Sequence, residues 1–243
     1  TGVSLAVSAI PEGLPAVVTV ALAFGVRRMA RRNAVVRRLS AVETLGGVTT
    51  ICSDKTGTLT TNEMTVKQVY TDGKFYLISG EGYRPIGEFY YKGCRINPKT
   101  NSGLKQILLS GALCNNAELK EKKGGYWSVL GDPTDGALLT LAAKGGICPW
   151  SVKNQFCREQ EIVFDSKRRM MTVICRDMKN KVTIHSKGAP ESLLLRCSHV
   201  LLNDQVIPLN PFARRRIFKA NQQMACEGLR VLGLAVKDYK AKD

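Results

Sequence analysis

The chain has 243 residues, 44% of them hydrophobic and 23% charged. Those proportions belong to a folded globular chain and exclude a disordered tail, a collagen-like repeat or a small disulfide scaffold. Lys and Arg outnumber Asp and Glu by 36 to 20, for a formal charge of +16. Such an excess attracts polyanions without naming one: phosphates, nucleotides, nucleic acid or an anionic membrane face.

From Thr1 to Val26 the one ionisable side chain is Glu12. The run is long enough to cross a bilayer, which takes about 20 residues at about 1.5 Å each. Arg27, Arg28, Arg31, Arg32, Arg37 and Arg38 follow it, which makes that end cytoplasmic by the positive-inside rule. A span over 1–26 and a cytoplasmic stalk over 27–47 are therefore expected, with everything after about residue 27 cytoplasmic. The span is not a plain anchor. Pro11 leaves the carbonyl of Val7 without its helical partner, and Pro15 does the same to Pro11. Glu12 sits among them, at a cost of roughly 2.5–3.5 kcal/mol at a bilayer centre. Freed carbonyls and one carboxylate are hard oxygen ligands for a cation. The other reading of this stretch is a buried helix of a soluble protein with Glu12 at a surface kink.

Residues 48–53, VTTICS, are rich in β-branched side chains and predict a buried strand leading into Asp54. Residues 65–100 predict strands and exposed turns. Asn101 or Ser102 caps a helix with Leu104, Ile107, Leu108 and Leu113 at helical spacing. KEKKGG at 120–125 predicts a solvated turn. Asp132-Pro133 opens a second helix that Gly145 and Gly146 close. Strands are predicted at 160–164, 171–176, 182–186 and 230–236, a short helix after Pro190, and a longer one from Asn210-Pro211 to about Gly228. This alternation predicts an α/β domain with a sizeable α+β insertion. The eight cysteines show no CxxC and no zinc spacing, so reduced thiols are expected. His185 and His199 have no partner at metal spacing and are read as structural.

Asp54 stands at the carboxyl end of a predicted strand, where open α/β sheets bind ligands. Among Lys55, Thr56 and Thr58, with Gly57 admitting a close backbone, its carboxylate is placed to attack a phosphoryl group. Such chemistry needs alignment and charge neutralisation and little else.

The string DKTGTLT at 54–60 resembles the phosphorylation motif of the P-type ATPases. PEGLP at 11–15, RRMARRNAVVRRLSAVETLG at 27–46, ICSDKTGTLTTNEMT at 51–65, GDPTDGALL at 131–139, KGAPE at 187–191 and GLRVLGLA at 228–235 follow in that family's order. PEGLP with KGAPE is similar to calcium pumps of the reticulum, secretory-pathway and bacterial kind. The resemblance implies a partial haloacid-dehalogenase-like Rossmannoid phosphorylation domain (48–63) and an inserted α+β nucleotide-binding domain (64–243), preceded by the transmembrane helix. It implies Ca²⁺ transport, with Mn²⁺ as an alternative cargo, driven by ATP through an aspartyl phosphate.

The resemblance also carries residue roles. Asp54 matches the phosphorylated nucleophile, and Asp54 with the carbonyl of Thr56 the Mg²⁺ ligands. Lys55 and Thr58 belong to the same catalytic loop. Glu12 and the carbonyls of Val7, Ser8 and Ile10 match the ligands of the transported cation. Phe164 falls where the family stacks adenine, Lys187 and Gly188 in the adenine-pocket motif, and Met171 against the adenine. Asp135, Arg169 and Arg230 fall on positions that contact the nucleotide. Several have plainer readings: Asp135 as a helix cap, Phe164 and Met171 as core, Arg230 as a solvated strand residue. Thr56 stands where haloacid dehalogenase phosphatases carry a second Asp that acts as general acid and base, which argues against a soluble phosphatase. No nucleic-acid motif accompanies the charge, so no nucleic-acid partner is expected. The resemblance finally implies a fragment of a longer multi-pass pump, lacking the family's TGES, TGD and GDGxND motifs, that binds ATP without turning it over.

Overall fold

The structure, a computed structural model, describes residues 13–239. It divides into two compact units between Thr60 and Thr61.

Among the described residues the first unit contains two α-helices, α1 (Leu14–Ala30) and α2 (Ser40–Gly46), and a helical turn at Lys55–Leu59. Pro15 lies in the first turn of α1, where its missing N–H would have had no partner in any case. Val17, Val20 and Phe24 are more than half exposed along α1, and Arg27 and Arg28 occupy its last turn. No helix among the described residues is long and apolar enough to cross a membrane. The expected span over 1–26 falls partly outside the described residues. Within them its helix begins at Leu14 and runs past Val26 into the arginines. The expected strand over 48–53 does not form. The segment has no ladder partner among the described residues, and Ile51 is 85% exposed. A strand exists only through a neighbour for its N–H and C=O groups, whatever its propensity. A Rossmannoid sheet around Asp54 is accordingly not seen among the described residues.

The second unit is α+β. Strands β1 (Gln68–Thr71), β2 (Lys74–Ile78), β3 (Phe89–Tyr91) and β4 (Cys94–Ile96) form an antiparallel meander. Helix α3 (Ser102–Leu113) follows, then a hairpin of β5 (Glu118–Lys122) and β6 (Tyr126–Leu130). Helices α4 (Pro133–Lys144) and α5 (Pro149–Gln155) lead into β7 (Phe156–Asp165), β8 (Met170–Asp177) and β9 (Val182–Gly188). After α6 (Pro190–Leu194), the hairpin β10 (His199–Leu202) and β11 (Gln205–Pro208), and α7 (Pro211–Cys226), strand β12 (Gly233–Asp238) returns. It completes a second antiparallel sheet of order β12-β9-β8-β7.

The predicted caps act as caps. Asn101 accepts from the N–H of Leu104 at 2.8 Å, Asp132 from Thr134 at 2.7 Å, and Asn210 from Ala213 at 2.8 Å. Each satisfies an amide that the helix cannot. Helices α3, α4 and α7 then start where the sequence places them. The KEKKGG turn is narrower than expected, because its first residues pair as β5 with β6. Helix α5 and the β10–β11 hairpin carry no strong signal in the sequence.

Helix α3 serves two cores. Its Leu104 and Leu108 pack with Val69, Tyr76, Ile78 and Phe89 of the meander and Leu141 of α4. At its other end Leu113 and Cys114 pack with Val152 of α5 and Met171, Val173 and Cys175 of β8. The helix thereby fixes one sheet against the other. Phe89 is 1% exposed, so Phe89→Ala is expected to cost about 3–5 kcal/mol. The check is a matching fall in the denaturation midpoint with unchanged m-value.

Candidate functional site

Asp54 is exposed, in extended conformation, and its Oδ1 accepts from the N–H of Thr56 at 3.2 Å. Gly57 has φ +76°, a value that glycine adopts without steric cost. The hydroxyl of Thr60 donates to the Lys55 carbonyl at 3.3 Å and accepts from Gly57 N–H at 3.4 Å. The loop is thus a closed turn that presents the Asp54 carboxylate to solvent. Lys55, Thr56 and Thr58 are exposed around it. Val7, Ser8, Ile10 and Glu12, the expected cation ligands, lie outside the described residues.

In the second unit the polar centre is an ion pair taken out of water. Lys187, near the end of β9, donates through Nζ to Oδ1 of Asp135 in the first turn of α4. The two side chains are 10% and 12% exposed. Oδ2 of Asp135 accepts from the backbone N–H of Asn116 at 3.0 Å. Asn115 donates to the carbonyls of Asp135 at 2.8 Å and Gly111 at 3.0 Å. Asp135 is therefore no helix cap: Asp132 does that, and the carboxylate of Asp135 turns to the lysine.

Gly188 follows Lys187. A Cβ there would lie 2.3 Å from the carbonyl oxygen of Arg169 and 2.7 Å from Cα of Met170. Both are backbone atoms of the neighbouring strand and its turn, so the close approach requires glycine.

Of the remaining candidates, Met171 and the Arg169 carbonyl adjoin the Lys187–Ala189 segment, and no hydrogen bond or ion pair among the described residues joins Phe164 or Arg230 to the Lys187–Asp135 pair. Phe164 is 62% exposed on β7, inside a register irregularity between Ile162 and Asp165. Arg169 is exposed at φ +55°, and its carbonyl accepts from Ala189 N–H at 2.9 Å. Met171 lies opposite Lys187 in the β8–β9 ladder and is only 3% exposed within the second core. Its side chain is core, the plainer of its two readings. Arg230 is exposed just before β12.

Two buried groups complete the surroundings. Burial pushes the Cys114 thiol up to about 11, so it is an inert core thiol. His185, two residues before Lys187, is 1% exposed. Its Nδ1 lies 2.9 Å from Ser110 Oγ and its Nε2 3.0 Å from Thr183 Oγ1. Ser110 also accepts from Gln106 at 3.1 Å, so both ring nitrogens of the buried imidazole have hydroxyl partners. Burial lowers the imidazole pKa from 6.5 to about 4.

The sequence reading does not single out Asn115 and Asn116, which hold Asp135, or Arg158, which donates to the Leu113 and Asn115 carbonyls. They belong to no motif, and their roles arise only when β7 is laid beside the end of α3.

Residues 103–243 match the family described as P-type ATPase, cytoplasmic domain N. Similar proteins include the calcium-transporting ATPase of Bacillus subtilis (strain 168), 45% identical over 240 residues, 99% of this chain and 27% of that protein. The cation-transporting ATPase pma1 of Synechocystis sp. is 49% identical over 241 residues, 97% of this chain and 26% of that protein. The calcium-transporting ATPase type 2C member 1 of Bos taurus is 41% identical over 237 residues, 96% of this chain and 24% of that protein. The chain belongs to the P-type ATPases and spans about a quarter of the length of these relatives.

Two outcomes are expected. Gly188→Ala forces strand backbone apart and costs about 1–3 kcal/mol, read as a lowered melting temperature. His185 in the unfolded chain takes up its proton near 6.5 and in the folded chain only near pH 4. Its contribution is therefore complete above 6.5 and is lost as pH falls towards 4, about 3 kcal/mol in all. The slope of stability against pH over that window should flatten in His185→Gln.

Proposed function

We propose that this chain is part of an ATP-driven cation pump with Ca²⁺ as the transported ion and Mn²⁺ as an alternative cargo. In this reading residues 64–243 bind ATP, and Asp54 receives the phosphoryl group. The observation that carries it is the buried Lys187–Asp135 pair, within the region that matches the family's domain N. Withdrawing two charges from water costs several kcal/mol per ion, and a buried pair is weak evidence of stabilisation. A pair this costly fits a binding role in addition to the contacts it makes within the fold.

The chemistry proposed for the loop at 54–60 follows from its groups. An Asp54 carboxylate oxygen attacks the γ-phosphorus of ATP, and the bond from that phosphorus to the bridging oxygen breaks. ADP leaves with the electron pair, and Asp54 holds an acyl phosphate. Thr56 has no carboxyl group with which to activate water, so the intermediate persists long enough for a conformational change. The donor set suits Mg²⁺, a hard cation bound by one or two carboxylates and waters: Asp54 is exposed and makes one hydrogen bond through Oδ1, and the Thr56 carbonyl is close in sequence. Bound Mg²⁺ supplies charge neutralisation on the transferring group. A haloacid-dehalogenase-like phosphorylation domain, completed by the longer protein, belongs to the same proposal.

We assign the segment 1–26 to the lipid bilayer, on the exposed apolar side chains of α1 and the arginines that follow. Glu12 and the carbonyls of Val7, Ser8 and Ile10 are the proposed oxygen ligands of the cargo, and the chain beyond about residue 27 is cytoplasmic. Phe164 is assigned to stacking on adenine, with Arg169 and Arg230 on the phosphates.

Calorimetry of the 243-residue chain with ATP tests the nucleotide assignment. Saturable binding is expected in the wild type. Phe164→Ala and Lys187→Ala should each weaken it about tenfold or more, the scale of one lost base-stacking or charge-assisted contact. Unchanged affinity in both folded variants would remove the assignment.

A further inference from the structure

The side chain of Arg158 sits at the junction of β7 and the end of α3. Its Nη2 donates to the carbonyls of Leu113 at 2.7 Å and Asn115 at 2.6 Å. Its Nη1 donates to Oδ1 of Asn116 at 2.6 Å and to Oε2 of Glu161 at 3.0 Å. Glu161 closes the ring by accepting from Asn116 Nδ2 at 2.6 Å. One guanidinium therefore holds the carbonyl at the end of a helix, the next loop's backbone and the Asn116 side chain. Lysine has no rigid fork and cannot reproduce this.

That loop is the same one whose Asn116 N–H holds Asp135 at 3.0 Å and whose Asn115 holds the Asp135 carbonyl at 2.8 Å. Asp135 in turn holds Lys187. An unbroken chain of hydrogen bonds runs from Arg158 through Asn116 to Asp135 and Lys187.

The backbone of β7 is shaped for this. Residues 158 and 161, three apart, would point to opposite faces of a regular strand. The register with β8 slips between Arg158 and Gln160, and an inserted residue of this kind re-aims the side chains that follow it. Arg158 and Glu161 consequently meet on one side of the strand, around Asn116.

We infer that Arg158 is a positioning residue for the nucleotide pocket, setting the Lys187 ammonium through Asn116 and Asp135; the inference rests on the nucleotide-binding reading above.

The test measures two quantities in the 243-residue chain. The first is ATP affinity by calorimetry. The second is acetylation of Lys187 by acetic anhydride, read by peptide mass spectrometry. Arg158→Ala should weaken ATP about tenfold, and Arg158→Lys should not restore it. The effect should be non-additive with Asp135→Asn, because both act through one network. Lys187 should be acetylated faster in Arg158→Ala, with the exposed lysines unchanged. A folded Arg158→Ala with wild-type affinity and wild-type Lys187 labelling, or an additive cycle, would overturn the inference. If Arg158→Ala does not fold, Glu161→Gln replaces it, with a two- to threefold weakening of ATP and faster Lys187 labelling expected, and unchanged values overturning. A wild type that binds no ATP while labelling still responds to Arg158 would overturn the nucleotide reading and leave the positioning of Lys187 standing.

Discussion

An ammonium and a carboxylate that have both left water dictate much of the second unit's design. Asp135 is brought to the pair by the first turn of α4, Lys187 by the last residues of β9. The loop after α3 supplies the amide that holds the second carboxylate oxygen. Losing either partner strands a charge, a fault of about 3–5 kcal/mol, so three elements must arrive together. Neighbouring contacts hold the same elements together. Gly188 lets β9 lie close on the Met170 backbone, and Asn115 ties α3 to α4.

Much of this fold was legible because its helices announce themselves. Asn101, Asp132-Pro133 and Asn210-Pro211 are local chemistry, a side-chain oxygen meeting an orphan amide within three residues. The pattern survives whatever the rest of the chain does. The strands of the second sheet were legible for a related reason: β8 is apolar along most of its length. The strand expected over 48–53 shows the opposite case. Its composition is suitable, but a strand is a relation between segments, and none of the described residues supplies the partner.

The candidate site divides along the same line. DKTGTLT and KGAPE are contiguous strings, so Asp54, Lys187 and Gly188 could be read directly. Asp135 stands in a motif string with two readings open, and the structure gives the cap to Asp132 and a lysine partner to Asp135. Met171 separates from the other candidates because burial and packing, absent from any motif, assign it to the core. Arg158 was invisible. Apart from Glu161, its partners lie more than 40 positions away in the chain, and the register slip beside it leaves no mark in composition.

Strand β7 is the outer member of its sheet. One of its edges offers unpaired backbone groups, the usual template on which a second molecule adds a strand. Two register slips interrupt it, at Arg158/Gln160 and Ile162/Asp165, and charged side chains at 158, 159 and 161 stud it. A flat, in-register addition cannot follow such a contour. The departures from regular geometry that organise the interior therefore also shape the exterior, leaving this edge a poor template for a further strand.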